Sequence, residues 1–437
     1  ADRAALREQV VEMLLLLARV GADRATGLPP DEREAGLLAA LTLIERAAGE
    51  YEPGAVPRAV WADRAEVLTR LGRTDAADQL RETGLRAAPI TPRDLYLSGT
   101  ALLARGRYRE AAKLLEEATA RDPRLYWAWF GLGWAHISLG RDAQAEGCFN
   151  ACIALEPDFP MAYFNRGLTR LRRNLFSPAE ADFTTVLRLQ PDLTDALVNR
   201  ALARLGAGHA ADAEADLTRA IGPGTSQTRL YFLRADARDR IGDKPGAAAD
   251  RTAGLSHIPA DDLSWVARGL AKADTDAAGA VADFDEALKL NPRSFPALQN
   301  KAYVLSEKLN RPDDAMAVLG QAIELFPDEL LARSGRAVLL ARKGERAAAL
   351  RDAEHCLQQA PGPDVLYQLA GVHALTSKQH PEDARTAFRL LADALRQGYG
   401  FDLVAIDPDL EPLRSMSEFR LVVDAAKAVR ASQPGRE

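Results

Sequence analysis

The 437-residue chain is 47% hydrophobic, carries a formal charge of −6 and has a sequence pI of about 5.7. That balance excludes a charge-driven nucleic-acid binder, which would show a basic face. The length suits either one long repeat array or two to three ordinary domains. Arginine outnumbers lysine forty-seven to nine in an alanine-rich chain, the pattern of a GC-rich bacterial coding sequence. Cys148, Cys152 and Cys356 are too few for a disulfide framework. The longest apolar run, around Met13 to Leu17, falls far short of a membrane span. No signal peptide is visible, so a cytoplasmic location is expected. The chain begins at Ala1 without a methionine, which leaves room for upstream residues.

Residues 1–56 read as two helices. The first runs from about Asp2 to Val20, with Val10, Val11, Leu14, Leu17 and Ala18 on one side. The polar stretch GADRATGLPP breaks it. Asp31 is then expected to cap a second helix through Leu37, Leu38, Leu41, Ile44 and Ala48, and Pro53 and Gly54 end the hairpin. From there a ruler appears: Pro89, Pro123, Pro157 and Pro191 follow one another at a constant step. After the irregular IGPGTS (221–226), Pro259, Pro292, Pro327 and Pro361 continue it with small deviations, one step shorter by a residue and one longer. Each proline follows a helical stretch that its ring cannot extend. So regular a period, about 34 residues, predicts a solenoid.

Between the prolines, Trp129-x2-Leu132-Gly133-x2-His136, then Ala145-x3-Phe149, then Pro157 resembles the tetratricopeptide (TPR) repeat, with His where Tyr is usual. Gly99, Ala111, Leu115 and Pro123 repeat the pattern one unit earlier; Tyr163, Gly167, Ala179, Phe183 and Pro191 repeat it one unit later. A small residue at the crossing lets two antiparallel helices approach while a large one fills the facing groove. The resemblance covers residues 58–363. It implies an all-α TPR α-solenoid, a right-handed superhelix of about ten helix-turn-helix repeats. Residues 364–398 read as a degenerate repeat. An array must cover its ends, so 1–56 is assigned as the N-terminal cap and 399–437 as a C-terminal cap helix and tail.

Aligned repeats expose a ladder. Arg166, Arg200, Arg234, Arg268 and Arg336 hold one place in the first helices, and Asp182, Asp216, Asp250, Asp283 and Asp352 hold one place in the second, at a nearly constant offset. An ion pair is predicted in each. The neighbouring repeats have Ser98 with Leu114 and Leu132 with Cys148 at these places. A row of arginines also suits a phosphate or acidic-peptide track; because each travels with an acid, the structural reading is preferred.

Catalytic patterns are missing. GAGHAAD (206–212) lacks the Lys-Ser/Thr of a phosphate loop, and Asp283-Phe284-Asp285 is not the DFG of a kinase. The six histidines are scattered over different repeats. Cys148 and Cys152, at i and i+4, suggest a metal pair with His136, but no fourth ligand offers itself, and small buried thiols are the preferred reading. No catalytic residue, cofactor or metal is expected.

One helix carries two apolar stripes. Trp129, Leu132, Gly133 and His136 recur at i, i+3, i+4 and i+7, while Trp127, Phe130 and Trp134 form a second stripe pointing elsewhere. The TPR resemblance implies that first helices line a concave groove. Mapped here, that groove takes in Tyr96 and Thr100; Trp127, Phe130 and Trp134; Met161, Phe164, Asn165, Leu168 and Arg172; and Val198, Asn199 and Leu202. Arg173 lies at its edge. Such a surface suits a protein or peptide with an apolar anchor and an acidic neighbour. The alternative, that these aromatics only pack between adjacent first helices, stays open at this point.

The segments 93–118, 126–141, 152–168 and DPDLEPLRSMSEF (407–419) also resemble the C-terminal TPR arrays of large bacterial Hanks-type serine/threonine kinases. That resemblance implies regulation or substrate recruitment beside a kinase domain that this chain does not contain. No catalytic residue carries over.

Overall fold

A computed structural model describes residues 2–52, 56–86, 91–222 and 227–431. Pro53, Gly54, Pro89 and most of the irregular IGPGTS (223–226) lie outside the described residues. Among those described there are helices and turns and no strand. The chain forms two compact units, residues 1–220 and 221–437.

The first unit opens with α1 (Asp2–Thr26) and α2 (Pro30–Gly49). Five antiparallel pairs follow: α3 (Arg58–Arg70) with α4 (Thr74–Arg86), α5 (Pro92–Ala104) with α6 (Tyr108–Arg121), α7 (Tyr126–Ser138) with α8 (Asp142–Leu155), α9 (Pro160–Arg172) with α10 (Phe176–Leu189), and α11 (Thr194–Gly206) with α12 (Ala210–Ala220). α1 departs from the sequence reading. It continues through GADRAT to Thr26, because Ala22 and Ala25 extend the buried stripe of Val11, Leu15 and Ala18 by two further turns. Val10 and Leu17, expected inside, are exposed; together with Leu6, Met13, Leu16 and Val20 they leave the outer side of α1 apolar. Asp31 does not cap α2. The helix starts at Pro30, whose fixed φ and missing N–H suit a first turn, and Asp31 sits within that turn.

The repeats close as the small-residue rule predicts. A Cβ on Gly133 would lie 2.7 Å from the Phe149 ring, and one on Gly167 would lie 2.8 Å from Phe183. Phe149 and Phe183 are fully buried. Successive first helices also pack on one another, α3 on α5, α5 on α7 and α9 on α11.

In the second unit the pairs are α13 (Arg229–Arg240) with α14 (Lys244–Ser256), α15 (Asp262–Lys272) with α16 (Ala277–Leu290), α17 (Phe295–Tyr303) with α18 (Pro312–Leu325), α19 (Leu330–Arg342) with α20 (Arg346–Leu357), and α21 (Pro363–Thr376) with α22 (Asp383–Arg396). The irregular proline spacings have local causes. The long step, Pro292 to Pro327, carries one residue too many, and α17 absorbs it in a π-helical turn, Val304–Lys308. The short step, Pro259 to Pro292, goes with a shorter α15, and there Asp283 follows Arg268 one residue sooner than in the other rungs. A 3₁₀ turn at Pro408–Leu410, the short α23 (Glu411–Arg414) and α24 (Ser417–Ala431) end the unit. Leu410 and Leu413 are buried against α21, and α24 packs on α22.

All five predicted rungs form. Nη2 donates to the carboxylate at 2.6 Å in Arg166–Asp182, 2.7 Å in Arg200–Asp216, 2.6 Å in Arg234–Asp250 and 2.7 Å in Arg268–Asp283; Arg336 Nε donates to Asp352 at 2.7 Å. The aspartates are buried. A second cation one helical turn later completes four of the rungs: Arg170, Arg204, Arg238 and Lys272 bind the same carboxylates at 2.7–3.0 Å. Arg170 and Arg204 also reach back to Glu146 and Glu180 of the preceding repeat, each at 2.8 Å. Thus each rung ties the two helices of its repeat together, and Arg170 and Arg204 also tie their repeats to the one before.

Candidate peptide-binding face

Burial separates the two stripes of α7. Leu132, Gly133 and His136 are buried, and Trp129 is partly buried with its indole N–H donating to the Pro123 carbonyl at 3.0 Å. Trp127 is 42% exposed and Trp134 49% exposed, while Phe130 is partly buried. Trp127 meets Tyr126, Phe130 and Phe159 edge to face, with centroids 5.0–5.6 Å apart. Phe130 in turn sits 5.8 Å from the core ring of Phe149. The foot of the second stripe is therefore an aromatic cluster tied to the core. Trp134, nearly two turns on, projects furthest into solvent.

On α9, Met161 is exposed, whereas Phe164 and Leu168 are partly buried around Phe183, a cluster separate from that of Trp127 and Phe130. Asn165 is buried, and its amide donates to the Met161 carbonyl at 2.8 Å, so it shapes the helix rather than presenting a contact surface. Asn199 makes the same bond to Asp195 on α11 with its side chain at the surface. Val198 is buried and Leu202 partly so. Arg172 donates to Asp142 at 3.2 Å, and Arg173 pairs with Glu146. Both guanidiniums are half-exposed and already neutralised, which weakens the attraction expected for an acidic neighbour.

At the other end of the expected groove, α1 covers the surface. Tyr96 is buried and donates its hydroxyl to Glu12 of α1. Thr100 accepts from Arg19 at 3.1 Å, and Arg19 also pairs with the buried Asp63 at 2.7 Å. Tyr96 and Thr100 are therefore interior contacts and not groove residues. Nothing in their own sequence signalled this, because the covering helix lies far upstream and outside the repeat period.

The thiol pair is not arranged for metal. Cys148 and Cys152 are buried, burial pushes both up to about 12, and Cys152 Sγ points at the Tyr126 carbonyl. Burial also lowers the pKa of His136. Among the described residues no group of three or more His, Cys, Asp or Glu side chains is placed to hold a metal ion, and no helix is long and apolar enough to cross a membrane.

Family models for the tetratricopeptide repeat match residues 102–163, 164–227 and 307–364. These matched segments are tetratricopeptide repeats. Solved structures similar to the chain include a tetratricopeptide repeat protein from Parabacteroides merdae ATCC 43184, 19% identical with a TM-score of 0.46, covering 57% of this chain and 98% of that one. MamA from Desulfovibrio magneticus RS-1 is 20% identical with a TM-score of 0.36, covering 37% and 91%. The first TPR of Spaghetti (RPAP3), bound to an HSP90 peptide, is 24% identical with a TM-score of 0.26, covering 27% and 93%. No curated protein matches the chain. The fold is an all-α TPR solenoid, and TPR repeats generally mediate protein–protein interaction.

Proposed function

We propose that the chain is a non-enzymatic scaffold that binds a partner peptide or protein against its first helices, with α7 and α9 as the principal face. The observation that carries this reading is the exposure of Trp127, Trp134 and Met161 on neighbouring first helices, while Leu132, Phe149 and Phe183, which the repeat itself requires, are buried. Tryptophan offers rigid contact area at small entropic cost and is enriched among interface hot spots. Phe130, Phe164 and Leu168 back this surface, Asn165 stiffens it, and Arg172 and Asn199 border it. A preformed face leaves the ordering entropy to the partner segment alone. We place this activity in the cytoplasm, a reducing compartment that suits the free, buried thiols of Cys148, Cys152 and Cys356.

The test is affinity capture from the native lysate with the wild type beside Trp127→Ala and Trp134→Ala, each with its melting curve. Partners lost at an unchanged melting temperature support the reading. Full retention of every partner by both variants sinks it. The resemblance of residues 93–118, 126–141 and 152–168 to kinase-linked arrays supports a second reading, in which this scaffold recruits substrates for a serine/threonine kinase domain of the same polypeptide. An intact mass of the native protein no larger than the 47.3 kDa of this chain would exclude that.

A further inference from the structure

The π-helical turn in the second unit borders a cleft. Tyr303, Ser306 and Glu307 at this turn form one side, α19 and α21 form the floor, and residues 403–409 form the far wall. Its volume is about 520 Å³, inside the ~300–1,000 Å³ span of ligand pockets. Leu331 and Val338 are partly buried on the floor, while Tyr303, Leu403 and Ile406 around them are exposed, Ile406 by 72%. Scattered exposed apolar residues need no explanation, but several gathered in one concavity do. π-helical turns recur at functional sites, and here Tyr303 and Glu307 both line the rim beside the turn.

The charge of the cleft is one-sided. Glu307, Asp407 and Asp409 line it against a single guanidinium, Arg342. That guanidinium is already engaged: Nη1 donates to Glu307 at 2.6 Å, and Nε and Nη2 donate to Asp409 at 2.8 and 2.9 Å. Arg342 thereby pins the π-helical turn to the C-terminal segment and offers no free positive charge to an anion. The lining is left with an excess of two negative charges.

We propose that this cleft is a second docking site, for a peptide that sets an aliphatic or aromatic side chain against Val338 and Ile406 and a lysine or arginine beside Glu307 and Asp407. It lies in a different unit from the α7 face and does not depend on that reading. The probe is a random twelve-residue peptide library selected on the full chain, with enriched peptides then labelled for fluorescence anisotropy. Sequences pairing an apolar residue with a nearby Arg or Lys are expected. Ile406→Ser, at an exposed position, should weaken them about tenfold (about 1.4 kcal/mol) at an unchanged melting temperature, and Asp407→Lys should remove the preference for cations. Trp134→Ala should leave binding untouched. Enrichment of acidic sequences, no enrichment at all, or peptides indifferent to Ile406→Ser but lost with Trp134→Ala would each overturn the proposal.

Discussion

Two neighbouring repeats solve the same packing problem with different chemistry. In α7–α8 and in α9–α10 a glycine lets the helices cross over a buried phenylalanine, Gly133 over Phe149 and Gly167 over Phe183. Beside that crossing, α7–α8 has Leu132 and Cys148, both buried, where α9–α10 has Arg166 and Asp182 bonded at 2.6 Å. The rung is therefore a latch that an apolar pair can replace, and the arginine ladder belongs to the architecture rather than to a ligand track. The comparison also isolates what α7 has in excess. Neither crossing nor latch requires Trp134.

The largest effect should come from the element the two repeats share. Phe149→Ala and Phe183→Ala should each cost about 3–5 kcal/mol, and closely similar losses in chemical denaturation would show that the crossing is equivalent in both. Next comes the latch. Asp216→Ala removes a carboxylate only 4% exposed and with it the ionic partner of Arg200, while Arg204 keeps Glu180; it should cost about 3 kcal/mol. A loss below ~1 kcal/mol would mark the rung as an ordinary surface pair. Converting α9–α10 to its neighbour's chemistry, Arg166→Leu with Asp182→Cys, should be neutral within ~1 kcal/mol or stabilising, since Arg170 keeps Glu146 as a partner. A melt as poor as that of Asp182→Ala alone would break the equivalence.

A smaller, pH-dependent effect is expected at the latch between α20 and α22. Hydrogen bonding to Arg346 holds the Asp383 carboxyl below its ordinary value of 3.8. Its stabilising contribution is then complete above that value and disappears as pH falls through the depressed folded one. In melts run from neutral pH into the carboxylate range, the gap between wild type and Asp383→Asn should close only in acid. A gap that is constant with pH would remove the ionic account of this latch.

Much of this was legible because the repeat imposes the same constraint many times. A glycine or an arginine recurring once per repeat names its own neighbour, so the crossings and all five rungs could be read from spacing. The second cations, Arg170, Arg204, Arg238 and Lys272, were visible in principle, each one helical turn after the first. What could not be read was contact between elements that no period relates. α1 covering Tyr96 and Thr100 is one instance, and residues 403–409 closing a cleft over α19 and α21 is another. The burial of Asn165 was likewise invisible, because an asparagine bonding its own helix looks in sequence like one facing a ligand.

The central claim is that Trp134, at the outward end of the aromatic face of α7, is surplus to the fold. Melting Trp134→Ala beside Trp129→Ala tests it directly. Loss of the partly buried Trp129, with its hydrogen bond to Pro123, should cost about 3 kcal/mol, whereas loss of Trp134 should stay within ~0.5 kcal/mol. Equal destabilisation by the two variants would contradict the account.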